Sequence, residues 1–216
     1  EQVISSIREQ EKLTPELEAQ IRAAMTQVAV DDLYRPYRPK RRTRAMIAKE
    51  KGLEPLADLI ALQQLKEPAE RVAEDYVSEE KGVASAAEAV AGAKDILAER
   101  ISDNAQYRSY IRKATIEQGM VTSSAKDEKE ASVYEMYYNY AEPVRRCVGH
   151  RVLALNRGEK EKLLTVKIEA PEETILGYLE KQTVLCDNPY TTPVLKEVVA
   201  DSYSRLIAPA IEREVR

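Results

Sequence analysis

The sequence predicts a mostly α, multihelical protein of two helical subdomains, with a small β element near residues 162–169 and a long C-terminal helix. Three observations lead there. Helix-start signals recur ahead of apolar residues spaced three and four apart. Only one run alternates β-branched and polar residues as a half-buried strand does. The 216 residues are 44% hydrophobic, enough for one large core or two smaller ones.

The helices justify themselves in order. Thr14-Pro15-Glu16-Leu17 offers an N-cap hydroxyl, a proline at the first helical position and an early acid that suits the helix dipole. Leu17, Ile21 and Ala24 or Met25 then share a face. Thr43 caps a short helix through Glu50, which Gly52 ends. Pro55 opens another with Leu56, Leu59, Ile60 and Leu62. Ser85-Ala86-Ala87-Glu88 matches a capping box, and its helix runs to about Arg100 with Ala89, Ala93, Ile96 and Leu97 inward. Ser102 starts the next, carrying Tyr107, Tyr110, Ile111 and Ala114 toward Gly119.

The second half is more mixed. Leu164-Thr165-Val166-Lys167-Ile168-Glu169 alternates as a short strand. His150–Glu161 reads either as a helix carrying Val152, Leu153 and Leu155 or as a partner strand turning at Gly158; the helix is preferred. Pro171 opens a helix to about Thr183, and Thr192-Pro193 opens a long one to the chain end that Pro209 should kink. Helix breakers near 119–130 and 139–149 place an expected boundary near 140, giving subdomains 1–140 and 141–216.

Composition excludes several classes. Two cysteines, Cys147 and Cys186, make no disulfide scaffold and suit a reducing, cytoplasmic setting. One histidine, His150, leaves no cluster for a metal. No apolar run is long enough to span a membrane. The chain opens Glu1-Gln2-Val3-Ile4, without an initiator methionine, and reads as a fragment of something longer. Its net charge of −4 conceals an uneven distribution. Residues 31–51 hold eight basic and three acidic side chains, and residues 52–99 hold four basic and eleven acidic. A basic strip on an acidic body is one local site or a salt-bridged strip, not a general nucleic-acid coat.

That strip is the strongest local signal. In Asp31-Asp32-Leu33-Tyr34-Arg35-Pro36-Tyr37-Arg38-Pro39-Lys40-Arg41-Arg42-Thr43-Arg44, the two Tyr-x-Pro steps favour extended backbone. Arg35, Arg38, Lys40, Arg41, Arg42 and Arg44 are the candidate nucleic-acid contacts. Arginine forks match phosphate oxygens, and tyrosine rings can stack on bases. The competing reading packs Tyr34 and Tyr37 into the helical body and pairs the cations with the acidic 52–99 face.

Other constellations carry less. Cys147-Val148-Gly149-His150-Arg151 lacks a signature for a nucleophile and its base, so His150 reads as structural and the cysteines as ordinary thiols. Asn156-Arg157-Gly158-Glu159 reads as a polar turn or helix end without the glycines of a phosphate loop. Tyr134, Tyr137, Tyr138 and Tyr140 surround Met136. They read as core filling rather than a base-stacking platform, because the chain has no Phe or Trp.

Tyr34 to Arg44, followed by Lys51-Gly52-Leu53-Glu54-Pro55-Leu56-Ala57, resembles the signature of the bacterial Tex proteins, the transcription accessory family. Gly92–Arg100, His150–Glu159 and Ser204–Glu214 fit the same pattern in the same order. The resemblance implies a part of a large multidomain protein with helical N-terminal and central regions, a ribonuclease-H-like domain, helix-hairpin-helix modules and an S1-type RNA-binding domain. Residues 1–140 would be a truncated N-terminal helical domain, and 141–216 a central region leading into the ribonuclease-H-like domain. The nucleic-acid reading of 35–44 rests on the residues and is not carried over from the family.

The expected function is a non-enzymatic helical scaffold that assists nucleic-acid binding and transcription. Its partners would be RNA or DNA in the full-length protein and the transcription machinery, with no cofactor, metal or membrane. The alternative is a structural or protein-interaction module that positions downstream domains and binds no nucleic acid. A nuclease would need converging carboxylates on a rigid sheet, and the sequence offers no such set.

Overall fold

The computed structural model describes residues 1–216, and helices dominate it. The chain forms two compact units. The first comprises Glu1–Ser109 and Leu176–Ala208, the second Tyr110–Ile175 and Pro209–Arg216. The expected boundary near 140 therefore falls within a strand of the second unit.

The first unit begins with α1 (Gln2–Glu9), α2 (Pro15–Ala23) and α3 (Gln27–Tyr34). Thr14 caps α2 as expected, its hydroxyl accepting from the Leu17 amide at 3.1 Å. Ile4, Ile7 and Ile21 are buried together. Met25 is not on that face. The helix stops at Ala23, and Met25 stands 98% exposed.

The helices α4 (Arg44–Glu50), α5 (Glu54–Ala61) and α6 (Ala69–Ala73) pack on α7 (Ala86–Ser102). Ala89, Ala93, Ile96 and Leu97 of α7 are buried as their spacing predicts, opposite Leu56, Ala57 and Ile60 of α5. Each large aliphatic side chain buried here contributes about 1.5–3 kcal/mol. Ser85 caps α7 through the Glu88 amide at 3.2 Å, and the Glu88 carboxylate accepts from the Ala84 amide at 3.0 Å. Gly52 ends α4 at φ +77°, a left-handed conformation that suits glycine.

Two local readings change. Ser102 does not start the next helix: it is the buried last residue of α7. Asn104 takes that role, its side-chain oxygen accepting from the Tyr107 amide at 3.1 Å ahead of α8 (Ala105–Gln118). Gln63, left-handed at φ 56° and 5% exposed, reaches across the sequence. It donates to the Thr183 carbonyl at 2.9 Å, at the end of α10 (Glu172–Thr183), and accepts from the Leu185 amide at 2.9 Å. Asn188 returns a bond to the Leu65 carbonyl at 3.0 Å.

The second unit holds more β structure than the single expected strand. Strand β1 (Met120–Ala125) lies between β2 (Asn139–Pro143) and β3 (Leu164–Glu169), antiparallel to both. Residues 149–160 form helix α9, as preferred. Its core is Val121, Tyr134, Tyr137, Leu155, Leu164 and Val166, so these tyrosines fill a core. Gly158 is not a turn. It is a buried residue inside α9, where a Cβ would lie 2.5 Å from Leu164 Cδ1.

The C-terminal helix runs as α11 (Thr192–Asp201), a π-helical segment (Ser202–Ile207) and α12 (Ala208–Val215). The expected effect of Pro209 takes the form of this widened turn just before it. Proline has no amide to return to the preceding turn, so the hydrogen-bond ladder shifts there.

Candidate nucleic-acid interface

The basic segment is held by both of its ends. Thr26 caps α3 through the Ala29 amide at 3.1 Å. Tyr34 and Tyr37 then pack against the Ile4–Ile7–Ile21 cluster. The Tyr34 and Ser6 hydroxyls share a 2.9 Å hydrogen bond, and Gln10 donates to the Tyr37 carbonyl at 2.8 Å. At the other end Thr43 caps α4 through the Met46 amide at 3.1 Å.

The backbone between is not extended throughout. Arg35–Tyr37 is a 3-10 turn, with Arg35 helical at φ −50°, ψ −45°. The bias that Pro36 places on Arg35 yields here to the anchoring of the two flanking tyrosines. Extended backbone begins at Arg38 (φ −64°, ψ 131°).

The six cations meet different fates. Arg35 is half-buried in the turn. Arg38 is exposed, 5.5 Å over the Tyr34 ring and 3.8 Å from the Asp31 carboxylate. Lys40 turns inward, with its side chain 20% exposed. It hydrogen-bonds Asp103 and lies 3.6 Å from Glu99, both presented by the end of α7. Arg41 is exposed and has no ion pair. Arg42 meets Glu50 at 2.6 Å, with both side chains at least 60% exposed. Arg44 is exposed at the start of α4, close enough for its charge to act on Asp95 and Asp201.

Self-neutralisation is thus partial. The tyrosines do pack inward, but the acids engaged are mainly Asp31, Glu50 and Asp103, all outside residues 52–99; within that stretch Glu99 lies beside Lys40, and Asp95 lies within reach of the Arg44 charge. Within that stretch Glu54 and Asp58 face Arg100, at 3.5 and 2.7 Å, instead. Burial holds the Asp103 carboxyl above its usual range, with Lys40 acting in the opposite sense. Lys40 is therefore a brace between the segment and α7. The exposed pairs of Arg38 and Arg42 are the kind worth about 0–1 kcal/mol, which an incoming phosphate can displace.

Cys147 is half-buried, and its thiol pKa is raised by burial and by the Glu142 carboxylate. His150 is exposed on the first turn of α9, and its imidazole makes no hydrogen bond to the Cys147 thiol, whose side-chain partner is Glu142. No three His, Cys, Asp or Glu side chains group as metal ligands. No helix is long and apolar enough to cross a membrane.

Comparison with known proteins gives the chain a family. Residues 64–215 match the Tex central region-like domain. A Bacillus subtilis protein, YdcI, is 49% identical over the whole chain, which covers 30% of that protein. The transcriptional accessory protein Tex of Neisseria gonorrhoeae is 37% identical over 80% of the chain and 23% of its own length. The human S1 RNA-binding domain-containing protein 1 is 27% identical over 81% of the chain and 19% of its own length. The chain thus spans less than a third of each of these relatives. The order of motifs, the helical fold and these matches agree: the chain belongs to the Tex family.

Proposed function

We propose that this chain is a non-enzymatic helical scaffold that assists nucleic-acid binding and transcription by a longer Tex-family protein in the cytoplasm. The observation that carries the reading is the exposure of Arg38, Arg41, Arg42 and Arg44 along one short segment braced at both ends and by Lys40. Such a segment presents guanidinium forks over roughly 20 Å at most, with little ordering left to do on binding. The relatives named for transcription and for an S1 RNA-binding domain point the same way.

The test titrates the chain against labelled single-stranded RNA, single-stranded DNA and duplex DNA at two salt concentrations. Replacing Arg38, Arg41 and Arg42 with alanine should weaken binding. It should also flatten the salt dependence by about 2–3 logarithmic slope units, one counterion per lost phosphate contact. Unchanged binding refutes the phosphate role. The commitment of Lys40 to Asp103 favours a second reading, a structural module that positions other domains. Under that reading the same triple variant binds as the parent does, and only brace variants have an effect.

A further inference from the structure

The second unit carries a basic surface that residues 35–44 do not explain. From Pro143 to Gly158 the chain has Arg145, Arg146, Arg151 and Arg157, together with His150, and no carboxylate. The fold sorts these residues. Arg151 is engaged: it bonds the buried Glu142 carboxylate, which also accepts from the Tyr140 hydroxyl at 2.5 Å. Arg145 and Arg146 lie exposed in the turn (Val144–Arg146) that delivers the chain to α9.

On α9, His150, Arg157 and Lys160 are exposed, and Leu155 and Gly158 are buried. Steps of seven and three residues bring His150, Arg157 and Lys160 onto one stripe, opposite the face that packs on β3. None of Arg145, Arg146, His150, Arg157 or Lys160 has an ion pair or side-chain hydrogen bond. The acids nearest in sequence are occupied elsewhere. Glu159 lies 3.0 Å from Arg216, and Glu161 accepts from the Tyr134 hydroxyl at 3.0 Å. The first amides of α9 have no side-chain cap, so the positive end of the helix adds to the same field.

We propose that the outer face of α9, with Arg145 and Arg146 at its start, is a second contact surface for the phosphate backbone of a nucleic-acid strand. The stripe from His150 to Lys160 is about 15 Å long at the helical rise, enough for several phosphates. A protein partner would need an apolar centre for a stable interface. Here two large apolar side chains, Leu153 (68% exposed) on the stripe and Val148 (42% exposed) before the helix, are too few to form such a centre among five basic side chains. Arginine predominates over lysine, as suits oxygen pairs on phosphate.

The test replaces Arg145, Arg146 and Arg157 with alanine and, separately, with lysine, in the chain as it stands. Labelled single-stranded RNA, single-stranded DNA and duplex DNA are titrated at two salt concentrations, with circular dichroism as the check on folding. The alanine variant should bind single strands at least about tenfold more weakly at low salt. Its salt slope should fall by about 2, and the lysine variant should keep most of the affinity. Unchanged affinity and slope in the alanine variant overturn the inference, whatever Arg38, Arg41 and Arg42 do. Loss in this variant with full binding by the Arg38/Arg41/Arg42 variant supports it while removing the function proposed for the first segment. Displacement of the nucleic acid by polyglutamate at equal charge concentration also overturns it, assigning the face to an acidic protein.

Discussion

Lys40→Met is the most informative single change in the first unit. Methionine keeps an aliphatic stem of similar length and removes the charge. Asp103 would remain 15% exposed at the end of α7, beside Glu99 at 19%, with its cation gone. Breaking a fully buried pair costs about 3–5 kcal/mol, and losing an exposed one about 0–1 kcal/mol. The partial exposure of these side chains places the loss between, at about 2 kcal/mol. For a chain of this size that lowers Tm by about 4–8 °C.

The loss should depend on pH. Burial already raises the Asp103 pKa above its value in an unfolded chain, and Lys40 opposes that rise. Without Lys40 the folded-state pKa climbs further. The native variant then holds a proton that the unfolded chain releases. Its deficit is therefore complete at neutral pH and shrinks as pH falls through the raised pKa. Thermal unfolding of parent and variant near pH 7 and near pH 4 measures this, with Lys40→Arg as the charge-retaining control. A variant as stable as the parent, or a deficit of equal size at both pH values, refutes the brace. Lower nucleic-acid affinity without loss of stability would make Lys40 a ligand instead.

Three further outcomes follow from contacts elsewhere. Gly158→Ala drives a methyl to 2.5 Å from Leu164 Cδ1 and should cost about 1–3 kcal/mol, read by urea unfolding; pairing it with Leu164→Ala should recover part of the loss that the two changes would cause independently. Gln63→Ala leaves the Thr183 carbonyl and the Leu185 amide without that partner, costing about 1–3 kcal/mol, and should speed hydrogen exchange at Leu185. Hydrogen bonding from Arg205 holds the Asp201 pKa below its usual value, so this pair supports the fold above the unfolded carboxyl pKa and loses that support as pH falls through the lowered one; Arg205→Met should make acid unfolding less steep, followed by circular dichroism.

The helix ends were the most legible part of the chain. Thr14, Thr43 and Ser85 each bond an amide three residues on, so the sequence window and the physical contact coincide. Ser102 and Asn104 mark the limit of that rule. Both are good caps, and the choice went to Asn104 because Ser102 belongs to the buried end of α7. The sheet was only one-third legible. Register pairs such as Thr122 with Ala141 and with Lys167 join segments far apart in sequence, and β1 lacks the strong alternation that marked β3.

The sequence alone established the family signature, the helical class and the concentration of cations in residues 35–44, because each is a property of composition or near-neighbour spacing. Tertiary structure decided which cations point outward and which are consumed. Lys40 and Asp103 are 63 residues apart, and no local pattern links them. It also decided that Gly158 is a contact point and that Arg157 lies on an outer stripe. The physical reason is range. Caps and periodicity act within a helical turn or two, whereas charge pairing and burial depend on which segments the folded chain brings together.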